Sequence, residues 1–90
     1  MKSTNILVAL DVKTILPEVL IDYLCNLVSA DENIDYGEQA VELTSDVLSG
    51  RSIQNIFHGE KRHRVFGFEP VNCKLHIMKS PDQYTMMLSS

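Results

Sequence analysis

The segment His58–Arg64 gathers two imidazoles, one carboxylate and three cations into seven positions. His58, Glu60 and His63 read H-x-E-x-x-H, and two imidazoles with a carboxylate form a ligand set that zinc accepts. The spacing departs from the helical two-histidine motif, in which the imidazoles stand four apart on one face. Metal binding at His58, Glu60 and His63 is therefore the weaker expectation. A solvated turn between two strands is the stronger one, and no cofactor is expected.

An H-x-E start also occurs in zinc deaminases, but those require a later P-C-x-x-C that this chain lacks. The same segment supplies cations. Arg51, Lys61, Arg62 and Arg64 could contact phosphates, and Phe57, Phe66 and Phe68 could offer stacking surfaces. The "RVFGF" run echoes an aromatic RNA-binding pattern, yet no second aromatic strand matches it. A net charge of −4 opposes polyanions away from this patch. Nucleic acid is not the favoured partner.

The charge is unevenly placed. Residues 1–50 carry two basic and nine acidic side chains, net −7, while residues 51–90 carry six and three, net +3. Asp31, Glu32, Asp35, Glu38, Glu42 and Asp46 crowd one stretch, and no Lys or Arg falls between Thr14 and Gly50. Such asymmetry acts on encounters with partners rather than on the fold. Its plain reading is a solvated acidic edge. Its sharper reading is an anionic face that meets a basic partner and imitates nucleic-acid charge.

Cys25 and Cys73 have no C-x-x-C spacing and read as free thiols packed as small apolar groups. Met78, Met86 and Met87 could make an adaptable apolar surface, though packed filler is the simpler reading. No nucleophile elbow and no glycine-rich phosphate loop is present, so no catalytic residue is assigned.

These side chains need elements to hold them. "NILVALDV" (5–12) is apolar and β-branched and reads as a central or near-central strand. Leu16, Val19, Leu20, Tyr23, Leu24, Leu27 and Val28 recur at helical spacing and form one apolar face. Pro17 suits the first turn of that helix, where its missing N–H costs nothing. Residues 38–50 are ambiguous. As a helix, Ala40, Leu43, Thr44, Val47 and Leu48 share a face with Gly50 as the stop; as a strand, Val41 and Leu43 alternate with polar neighbours. Periodicity leans to the helix. "SIQNIFH" (52–58) and "RVFGFEP" (64–70) read as strands, with Gly67 marking a bulge in the second. "VNCKLHIM" (71–78) and "YTMML" (84–88) alternate with period two and form an antiparallel hairpin around "KSPDQ".

Ninety residues, 44% apolar and 22% charged, make a single domain, 1–90. Its fold class is α+β: one amphipathic helix, or two if 38–50 is helical, packed on an antiparallel sheet of four to five strands. A core this small supplies only ~3–5 kcal/mol, so a second copy of the chain could add stability as a homodimer. The apolar run Ile6–Leu10 is broken by Asp11 and Lys13, so no secretory signal is expected. No run approaches the ~20 residues that span a bilayer. A cytoplasmic protein without membrane contact is expected.

Four blocks carry a resemblance: "ILPEVLIDYLCNLV", "IDYGEQAVEL", "IQNIFHGEK" and "LHIMKSPDQYTMML". In this order, from Ile15 to Leu88, the chain resembles a family of small uncharacterised proteins of Gram-positive bacteria and their phages, the domain-of-unknown-function family nine-sixty. The resemblance implies that residues 39–44 form a strand, against the helical periodicity. It implies a phage or mobile-element origin and brings no activity with it.

The expected function is non-enzymatic: a small acidic protein that binds a protein partner. The first alternative is a phage-type inhibitor of a host nucleic-acid enzyme working through the acidic face. The second is a small metal-dependent enzyme centred on His58, Glu60 and His63.

Overall fold

The computed structural model describes residues 6–30 and 37–89. In chain order these form β1 (Ile6–Val8), α1 (Leu10–Ile15), α2 (Glu18–Ala30), β2 (Gly37–Leu48), β3 (Arg51–His58), β4 (Lys61–Val65), β5 (Cys73–Lys79) and β6 (Tyr84–Ser89). The α+β class holds. The sheet has six strands in the order β1-β6-β5-β2-β3-β4, rather than four to five. It is mixed, because β1 runs parallel to β6 while every other pair is antiparallel.

The first strand is shorter than its composition suggests, and it lies at an edge rather than near the centre. Ala9 accepts the N–H groups of Val12 (3.1 Å) and Lys13 (3.2 Å), which turns the chain into α1 directly after Val8. Pro17 ends that helix. The residue before a proline is driven out of the helical region, and Leu16 is extended at φ −93°, ψ 140°. The Pro17 carbonyl then accepts Leu20 N–H (3.0 Å) and Ile21 N–H (3.1 Å) and opens α2. Leu20, Leu24 and Val28 on α2 are fully buried, with Leu16 beside them. Each stabilises the fold by about 1.5–3 kcal/mol relative to exposure. Val19 belongs to the same periodic stripe but lies exposed.

The helical reading of 38–50 is wrong. Residues 38–48 lie in β2, a strand with partners on both sides, β3 and β5, and 49–50 form its turn. Val41 and Leu43 enter the core with Ile56, Leu75, Ile77 and Met86 against the helix residues. Ala40, Val47 and Leu48, which a helix would have buried together, are exposed. Strand partners on both sides outweigh a weak local preference.

Directly paired residues of neighbouring strands share a face. The helices cover the face that carries Val41, Ile56, Leu75 and Met86. The opposite face is open. It carries Glu38, Glu42 and Asp46 of β2, Phe57 of β3, Arg62 and Arg64 of β4, Lys74, His76 and Met78 of β5, Met87 of β6 and Leu7 of β1.

The β2–β3 hairpin overhangs the rest of the sheet, since β5 pairs only up to Leu43 and β4 only from Gln54. Its turn places Ser49 at φ 53° and Gly50 at φ 78°, the pair of left-handed residues that a two-residue type I′ hairpin requires. The chain leaves β4 at Val65, not at Pro70 as the strand reading had it. Gly67 (φ 104°) therefore lies in a connection and not in a bulge. That connection, residues 66–72, must pass β3 and β2 to reach β5. Gln54 anchors it. The fully buried carboxamide donates to Val71 O (3.0 Å), Thr44 O (2.9 Å) and Asn55 O (3.1 Å), and it accepts Val71 N–H (2.7 Å). A side-chain amide thus supplies the two-point pairing that another strand would offer Val71.

Candidate interaction surface

The H-x-E-x-x-H residues do not converge. The β3–β4 turn is only Gly59 and Glu60, so Lys61–Arg64 lie within a strand rather than in a wet turn. His58 is buried on the helix-covered face, its Nε2 2.9 Å from Gln39 Oε1. His63 lies on that face as well, its ring edge-on to Tyr23 with centroids 6.4 Å apart. Glu60 is exposed at the turn. Among the described residues, no three His, Cys, Asp or Glu side chains are grouped to hold a metal.

The cations are divided as well. Pairing with His58 puts Lys61 on the helix side, whereas Arg62 and Arg64 stand on the open face. The Arg51 guanidinium sits over the Phe66 ring, 5.6 Å from its centroid. The phenylalanines form no common platform: Phe66 is exposed, Phe57 lies half-buried on the open face, and Phe68 packs against the core.

Of the acidic stretch, Asp31, Glu32 and Asp35 lie outside the described residues. Glu38, Glu42 and Asp46 project from alternate outward positions of β2 and each meets a basic side chain from another strand. Glu38 Oε1 lies 3.6 Å from His76 Nε2, Glu42 Oε2 3.9 Å from Lys74 Nζ, and Asp46 Oδ2 3.9 Å from Arg64 Nη2. The Arg64–Asp46 pair bridges over β3, which lies between those two strands. Ile53 and Asn55 beneath it are buried although their face has no helix. The band is therefore mixed in sign rather than anionic. Exposed pairs of this kind contribute ~0–1 kcal/mol each.

Apolar side chains are exposed beside this band on the same face, where Met78 pairs with Glu38. Leu7 is 57% exposed and Met78 37%, and both flank Thr85, their partner in β6. Half-buried Met87 stands next to His76 one row away. Sequence reasoning grouped Met78, Met86 and Met87; pairing separates them and sends Met86 into the core. Leu7 draws no attention in the sequence because its strand reads as central or near-central. A shallow depression between residues 14–17 and 69–71 offers one carboxylate, Glu69, and one hydroxyl, Thr14.

Cys25 and Cys73 are free and half-buried. Burial pushes both thiols above their ordinary range, and the nearby Asp22 charge adds to the shift at Cys25. Neither has the thiolate character of a nucleophile. Among the described residues no helix is long and apolar enough to cross a membrane.

Two helices on one face of a six-stranded mixed sheet place the chain among α+β proteins. No family model matches it, and no curated protein matches it. A crystal structure described as a protein of unknown function from Enterococcus faecalis is similar, with a TM-score of 0.56 over 94% of this chain and 87% of that one, at 11% identity. At that identity the likeness concerns the fold alone.

Proposed function

We propose that this chain is a non-enzymatic binding module that holds a protein partner against the open face of its sheet. The observation that carries the reading is the exposed apolar corner of Leu7 and Met78, beside Met87, on the face opposite α1 and α2. A methionine-bearing patch repacks readily against varied partners. Next to it lie ion pairs weak enough to exchange their members for a partner's charges. The cations Lys74 and Arg64 beside Glu42 and Asp46 weigh against a nucleic-acid mimic. The separation of His58, Glu60 and His63 weighs against a metal enzyme. Free thiols fit a reducing cytoplasm, and a phage or mobile-element origin stays part of this reading through the resemblance.

The test is affinity capture from host lysate with the wild-type chain and with Leu7→Asp/Met78→Asp, scored by mass spectrometry beside urea unfolding of both. The double variant should keep its stability and lose the partner. A partner retained at full yield would sink the reading. Capture that disappears in high salt for the wild-type chain would favour the mimic instead. Sedimentation of the purified chain shows whether a second copy is the occupant.

A further inference from the structure

Among the described residues, two stretches of unpaired backbone, one on β2 and one on β4, are treated differently. Where β2 overhangs β5, the N–H groups of Ser45 and Val47 point away from β3. Side chains take both: Asn72 Oδ1 accepts Ser45 N–H (2.9 Å), and Asp46 Oδ1 accepts Val47 N–H (2.8 Å). Those plugs block strand addition there.

Among the described residues, the outer edge of β4 has no such plug. The hairpin joining it to β3 has two turn residues, so His58 and Lys61 are the closing hydrogen-bonded pair. By alternation Lys61, His63 and Val65 bond to β3, while the N–H and C=O groups of Arg62 and Arg64 point outwards. β4 is the last strand of the sheet, and among the described residues no hydrogen bond outside the β3 ladder reaches those groups. Lys61, Arg62 and Arg64 are all exposed around this edge, Lys61 towards the helix side and the two arginines towards the open face.

Charge on an edge guards against indiscriminate pairing, and here its sign also selects. A second copy pairing edge to edge would set its cations against these and be repelled. A segment with carboxylates at alternate positions would bring compensating charge beside Arg62 and Arg64 while its backbone pairs with theirs. We infer that the β4 edge accepts an extended acidic segment of a partner protein as a seventh strand. This site lies across the sheet from the Leu7–Met78 corner and does not depend on it.

The probe is a short labelled peptide alternating Glu with Thr, followed by fluorescence anisotropy against the full chain, with amide shifts recorded by NMR. The acidic peptide should bind, move the Arg62 and Arg64 amides, and weaken with salt. A peptide alternating Lys with Thr should not bind. N-methylation of the peptide amides that face β4 should weaken binding on the order of tenfold or more, and Arg62→Glu should do likewise. Leu7→Asp should leave it unchanged. No binding of the acidic peptide would overturn the inference. So would equal binding of the N-methylated peptide, because the backbone would then play no part. Oligothymidylate binding as tightly as the peptide would show a general polyanion patch and would overturn it too.

Discussion

Gln54 offers the most exposed test of how this fold is held. Its carboxamide is fully buried and makes four contacts within 3.1 Å, three as donor and one as acceptor. With two N–H groups for three carbonyls, one hydrogen is shared. In Gln54→Ala the Val71 N–H loses its acceptor, and an orphaned donor of this kind costs about 1–2 kcal/mol. Losing the bonds to the carbonyls adds roughly 1 kcal/mol, and the hole left by the side chain about another. The sum, roughly 3–4 kcal/mol, is most of what a domain of this size has. Urea unfolding followed by circular dichroism reads it directly, and hydrogen exchange at Ser45 and Val71 should accelerate beyond the global change. Gln54→Glu sharpens the test. It keeps an acceptor for Val71 N–H but turns a carboxylate towards three carbonyl oxygens, which favours its protonated form in the folded state. The folded protein then holds that proton more tightly than the unfolded chain does. The variant should come closest to the wild-type protein below about pH 4 and fall behind as pH rises through the raised value. A loss below about 1 kcal/mol in Gln54→Ala would refute the view that this amide anchors the connection between β4 and β5.

Two further outcomes follow from local geometry. Ser49 holds a left-handed φ of 53° ahead of Gly50; Ser49→Asn, the residue that type I′ turns prefer, should raise Tm by about 2–4 °C in a thermal scan, and an unchanged or lower Tm would contradict that turn. Burial raises the Cys25 and Cys73 thiols, with Asp22 adding to the effect at Cys25; alkylation of the folded protein by iodoacetamide at neutral pH should lag far behind the urea-unfolded chain, and equal rates would count against it. Because the fold favours the neutral thiols, their contribution to stability is present below the ordinary thiol range and is lost as pH climbs through the raised values.

The amphipathic helix and the closing hairpin were legible in the sequence because their periodicities are intrinsic to single elements. Leu20, Leu24 and Val28 repeat every four residues, and Leu75 and Ile77 alternate with polar neighbours; nothing beyond local geometry is needed to see which side is apolar. Residues 38–50 are ambiguous in the sequence for the complementary reason. Their apolar residues satisfy both periods, and only pairing with β3 and β5 decides between them. The partners of Glu38, Glu42 and Asp46 were hidden for the same reason: the basic side chains that meet them, His76, Lys74 and Arg64, arrive from β4 and β5.

What this sequence determined alone was its class, its helix face, its β5–β6 hairpin and its want of a recognisable catalytic motif. These depend on composition and on patterns within a few residues. Strand order decided the rest: which charges neutralise each other, which methionine is buried, that Gln54 pairs with Val71, and that two arginines stand on an open edge. Those contacts join residues ten to thirty-two positions apart, and side chains at such separations meet only when the sheet brings their strands together.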